Sequence, residues 1–88
     1  MITARQSRAA RALLGWTQEM LADRARIALT ALKRLESANG LDVYETTRDE
    51  VRRALEAAGI VFLSTDKGQG VLLVDDRGNK PNSSDAAR

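Results

Sequence analysis

The sequence predicts a mainly α fold: four helices followed by a short C-terminal β-hairpin. Three observations carry that expectation. Apolar residues recur at helical spacing through residues 3–58, broken by Ser/Thr and Gly; two short runs rich in β-branched and aliphatic residues follow, "IVFL" at 60–63 and "VLLV" at 71–74; and the final stretch, "DDRGNKPNSSDAAR", has no apolar run at all. Eighty-eight residues with 43% hydrophobic content suit one small core. The chain divides into a helical domain over 1–59, a strand appendage over 60–75 and a tail over 76–88 that is expected to be disordered.

In "TARQSRAARALLG", Ala10, Leu13 and Leu14 fall at i, i+3 and i+4, while Arg5, Arg8 and Arg11 line another face three residues apart. Thr3 is placed to cap this helix and Gly15 to stop it. Thr17 opens a second helix that turns Leu21 and Ala25 inward, with Ala22 beside them. A third spans about Ala28 to Ser37, buries Leu32 and Leu35, and ends at Asn39-Gly40. After "LDVYET", Thr47 and Glu50 have capping-box spacing, and Val51, Leu55 and Ala58 form the stripe of a fourth helix closed by Gly59. The two strands are joined by the turn-rich "STDKGQG" and are apolar on both faces. A lone hairpin is marginal in water, so one face is expected to pack on the helices and the other face, or an edge, to meet a second copy. Ile60, Phe62, Val71 and Leu73 are the candidates for that interface.

Composition narrows the chemistry. There is no cysteine and no histidine, so the commonest nucleophile–base pairs and soft metal ligands are missing, and the carboxylates follow neither a calcium-loop nor a catalytic spacing. The expectation is a non-enzyme without metal or cofactor. No apolar run approaches the ~18 residues of a membrane span, which points to a soluble, cytoplasmic protein. The net charge of +2 is unevenly spread: residues 1–34 hold seven basic groups against two acids, residues 35–88 seven against ten. A basic N-terminal half is what a phosphate-binding face requires, although a solvated surface has the same composition.

The spacing of "TQEMLADRARIALTALKRLE", residues 17–36, sharpens the choice. Two helices joined by a turn of three or four residues cross closely and need a small residue at the crossing, the place Ala22 occupies. With Leu21, Ala25, Ile27, Leu32 and Leu35 inward, Leu29, Thr30, Lys33 and Arg34 are left near the outer side of the second helix, with Gln18 at the start of the first. Such side chains reach base edges when a helix enters the major groove.

This stretch resembles the lambda-repressor-like, xenobiotic-response-element (XRE) type of helix-turn-helix, through Gln18, Leu21, Ala22, Ala25, Leu32, Leu35, Glu36 and a slightly displaced Gly40. "RAARALLGWTQ" resembles the first helix and junction of small bacterial regulators of the same family, and the likeness covers about residues 3–58. It implies a four-helix DNA-binding domain, commonly dimeric, on a double-stranded operator. Carried over, Gln18 contacts a phosphate or a base at the groove edge, Leu29, Thr30 and Arg34 face bases, and Lys33 lies near backbone or base. Arg34 is the strongest candidate, because an arginine fork can bond guanine O6 and N7 together. Thr17, Arg5, Arg8, Arg11 and Arg26 are candidates for the phosphate backbone.

Two positions depart from the family pattern. Arg26 stands where glycine is usual, and a left-handed residue with a Cβ costs on the order of 1 kcal/mol, which leaves room for an altered turn. Ala28 stands where serine or threonine usually caps the recognition helix, forgoing ~1 kcal/mol. The expected function is a homodimeric, sequence-specific transcriptional regulator. An antitoxin that autoregulates through the same face, and a regulator that has lost DNA affinity and binds a protein partner, are the alternatives.

Overall fold

A computed structural model of the chain describes residues 2–37 and 43–74. Among them, four helices, α1 (Ala4–Leu14), α2 (Gln18–Ala25), α3 (Leu29–Leu35) and α4 (Glu45–Ala57), precede an antiparallel hairpin of β1 (Ile60–Thr65) and β2 (Gly68–Leu73). The expected stop at Asn39-Gly40 and the expected disorder of the tail lie outside the described residues. No helix among the described residues is long and apolar enough to cross a membrane.

Local chemistry sets the helix ends. The Thr3 side chain accepts from the Gln6 N–H, and the Gln6 side chain accepts from the Thr3 N–H, a reciprocal capping box that ties down two otherwise orphaned donors. Gly15 ends α1 in the left-handed conformation at φ 72°, and Thr17 caps α2 by accepting from Met20 N–H. The turn between α2 and α3 takes a left-handed residue without a glycine: Arg26 sits at φ 59° and ψ 45°, while Ile27 N–H donates to Ala22 O at 3.0 Å. Turn geometry, not side-chain preference, prevails at this position. Ala28 begins α3 with no side-chain cap, as its lack of a hydroxyl dictates.

Two boundaries differ from expectation. Helix α4 begins at Glu45 with Tyr44 as its N-cap, so Thr47 lies inside the first turn and its spacing to Glu50 caps nothing. The strands are longer than the apolar runs, with only Asp66 and Lys67 between them: Thr65 Oγ1 accepts from Lys67 N–H and closes the tight turn that "STDKGQG" otherwise suggests as a loop.

Val51 and Leu55 of α4, Leu21 of α2 and Leu32 of α3 are fully buried at the centre, with Ala10, Ala22, Ala25, Leu35, Ile2 and Ile60 completing the core. Ala22 and Ala25 allow α2 and α3 to approach closely, while Leu13, expected inward, is exposed. The hairpin packs with β2 along α1 and β1 beside α4. Its register, Ile60 opposite Leu73 through Thr65 opposite Gly68, turns Ile60, Phe62, Val71 and Leu73 toward the helices. These four are the interface candidates of the sequence; within the chain they pack against the helices, and the period-two alternation of a strand turns Val61, Leu63 and Leu72 outward.

Candidate nucleic-acid interface

The outer side of α3 is held in place from behind by a buried carboxylate. Glu36, which follows the last turn of α3, is 4% exposed as a residue, and its oxygens collect donors from two other helices. Arg11 donates from Nε at 3.1 and 3.0 Å and from Nη2 at 2.8 Å, Ser7 from Oγ at 2.5 Å, and Gln18 from Nε2 at 3.1 Å. Arg8 donates to the Glu36 carbonyl, and the Arg11 guanidinium also bonds Trp16 O at 3.2 Å. Burial pushes the Glu36 pKa up, but the hydrogen bonds from Arg11, Ser7 and Gln18 outweigh it and hold the carboxyl below its ordinary value. A buried charge that stays ionised in this way fixes α1, the start of α2 and the end of α3 relative to one another.

This network redistributes the sequence candidates. Arg8 and Arg11, expected on the phosphate backbone, point inward to Glu36, because their three-residue spacing places both on the α1 face that meets the end of α3. Arg5 remains exposed, next to Gln69 and Gly70 of the hairpin and away from α3. Gln18 is half-buried and spends one amide proton on Glu36, which fixes its side chain at the start of α2. Thr17 is exposed with its hydroxyl engaged as a cap, and Arg26 is exposed at the turn.

On α3 itself, Thr30, Lys33 and Arg34 are exposed, and Thr30 and Arg34 lie one turn apart on the same side. Leu29 is half-buried against the core, so most of its reach is spent on packing. Lys33, Arg34 and Arg26 have no ion-pair partner among the described residues. The contrast with α4 is direct: Arg52 pairs with Asp49 and with Glu56 at 2.9 Å, and Arg53 with Asp49 at 2.7 Å, so that helix neutralises its own charges. Among the described residues, α3 and its preceding turn thus group three exposed basic side chains without an ion pair, while Arg5, Arg24 and Lys67, also without one, stand elsewhere on the chain.

A groove beside α3 is lined by Thr30, Ala31 and Arg34 on one side and by Val43, Tyr44 and Thr47 on the other. Tyr44 is 81% exposed, the most solvent-accessible of the large hydrophobic side chains among the described residues. The sequence places it in the loop "LDVYET"; the signal that could have found it is the one tyrosine of the chain, standing in the short connection before α4. Trp16, at the α1–α2 junction, is half-buried under the Arg24 guanidinium, which lies 4.7 Å from its ring centroid. Among the described residues no three His, Cys, Asp or Glu side chains gather where they could hold a metal ion.

The geometry is that of a short helix with three exposed polar side chains on one side and a fixed scaffold on the other. Compared with the profiles of known protein families and with curated protein sequences, the chain finds no match.

Proposed function

We propose that the chain is a sequence-specific DNA-binding regulator of the lambda-repressor-like, XRE type, which acts as a homodimer and inserts α3 into the major groove. The observation that carries this reading is the exposed set Thr30, Lys33 and Arg34, whose two cations have no ion pair among the described residues, on a helix whose opposite side is locked by core packing and by the Glu36 network. Arg34 is assigned the bidentate base contact, Thr30 a contact one turn earlier, and Lys33 a base or phosphate. Arg26, Thr17 and Gln18, at the exposed turn and at the opening of α2, are assigned to the flanking backbone. These backbone contacts set position and orientation, while the α3 side chains supply sequence discrimination.

A helix of seven residues reads few base pairs. Two copies related by a two-fold axis double the contacts across half-sites about one helical turn, ~34 Å, apart. Selection from a random duplex library tests this. The expected product is a palindromic motif with half-sites spaced by about one turn; the absence of any enriched motif contradicts it.

A further inference from the structure

The outward face of the hairpin has a composition unlike the rest of the surface. Strand alternation places Val61, Leu63 and Thr65 of β1 on it, opposite Leu72, Gly70 and Gly68 of β2 respectively. None is charged, and Val61, Leu63 and Leu72 are 41%, 46% and 51% exposed. The face is also sculpted. Leu63 stands opposite Gly70, and a Cβ built on Gly70 meets nothing nearer than Leu63 Cδ1 at 3.9 Å, so a projecting leucine lies beside a bare strip of backbone.

We infer that this face packs against the same face of a second copy, with Leu63 of each chain seated in the hollow over Gly70 of the other. The inference deepens the homodimer proposed above and rests on it. Three observations select a second copy. A two-fold contact must be self-complementary, and one knob beside one hollow satisfies that reciprocally. Identical surfaces meeting about an axis set like charges against like, and this face has none, while Asp66 and Lys67 at its turn are of opposite sign. The chain's own C-terminal stretch, "DDRGNKPNSSDAAR", offers no apolar side chain larger than alanine and proline to cover it. Aligned sheet-on-sheet packing is the arrangement two such hairpin faces adopt.

The hairpin is firmly attached to the reading domain, so a contact made there is transmitted. Gln6, buried at the start of α1, donates from Nε2 to Leu63 O at 3.1 Å and to Gly70 O at 2.9 Å, across the very pair that forms the knob and the hollow. From the residues that follow, the same helix supplies Ser7, Arg8 and Arg11 to Glu36 at the end of α3. Helix α1 thus links the face to the recognition helix and fixes the separation of the two reading heads.

Sedimentation equilibrium of the full chain without DNA, over a wide concentration range, tests the inference with Leu63→Lys and Gly70→Ala. Wild type is expected to form a reversible dimer. Leu63→Lys sediments as a monomer with an unchanged far-ultraviolet spectrum. Gly70→Ala is the sharper variant: its methyl fits the isolated chain, so melting at a dilution where all proteins are monomeric is unchanged or raised, yet it fills the hollow and weakens the dimer at least ~10-fold. A wild type that is monomeric throughout overturns the inference, as does a dimer that both variants leave intact, which would place the contact on a strand edge or a helix. These readouts contain no DNA, whereas the DNA-binding reading fails only if wild type prefers no duplex.

Discussion

Replacing Arg11 with alanine leaves the Glu36 carboxylate, whose side chain is 1% exposed, with side-chain donors from Ser7 and Gln18 among the described residues. Removing one partner of a buried ion pair costs ~3–5 kcal/mol, because the remaining charge is neither solvated nor neutralised. Two features place the expected loss near the lower end. Arg11 is 18% exposed, so water already screens part of the pair, and the two remaining donors still satisfy lone pairs. We expect about 3 kcal/mol for Arg11→Ala, a large fraction of the ~4–13 kcal/mol total for a domain of this size, and a fall in melting temperature on the order of 15 °C. The assay is urea unfolding followed by circular dichroism, run as a double-mutant cycle with Glu36→Gln. A coupling energy above ~1.5 kcal/mol is expected. A coupling below ~0.5 kcal/mol would mean that the two side chains act independently and that the Glu36 clamp does not hold α3.

The same carboxylate makes stability pH-dependent. Although burial alone raises its pKa, donors from Arg11, Ser7 and Gln18 lower it below the ordinary value of 4.5, so its contribution is complete above that pH and is lost as the pH falls through the lowered folded-state value. Acid titration of unfolding is expected to be shallower in Glu36→Gln than in wild type. Arg26→Gly removes a Cβ from a left-handed position and is expected to stabilise by up to ~1 kcal/mol in urea unfolding. If Arg26 meets a phosphate, the same variant weakens binding about equally on all duplexes and reduces the salt slope by about one. Ala28→Ser supplies the missing α3 cap and is expected to add ~1 kcal/mol, checked by the urea midpoint.

The parts of the fold that depend on neighbours along the chain are legible in the sequence alone. Thr3, Gly15 and Thr17 end or open helices where their chemistry predicts, and the inward set of Leu21, Ala25, Leu32 and Leu35 follows from helical spacing. What escapes depends on distant contacts. Nothing in the arginine spacing of α1 distinguishes Arg5, which stays in solvent, from Arg8 and Arg11, whose partner lies 28 and 25 residues further on. The strands are apolar on both faces, so periodicity cannot say which face the helices cover; the register and the attachment of Gln6 decide it. Tyr44 illustrates a third kind of miss, since a helix without a side-chain cap leaves no N-terminal signature to read.

Thr30, Lys33 and Arg34 are legible as outward-facing, and the proposed function assigns Arg34 the bidentate base contact. The measurement that tests this most directly is a fluorescence-anisotropy titration of wild type and Arg34→Ala against the chain's own upstream DNA and a scrambled duplex, at two salt concentrations. Wild type should prefer one sequence and weaken steeply with salt, and the variant should lose about 10- to 100-fold on the preferred duplex while binding scrambled DNA almost as before. Equal affinity of wild type for preferred and scrambled duplexes, or an Arg34→Ala variant that keeps full preference, would contradict α3 as the reading helix with Arg34 at its centre.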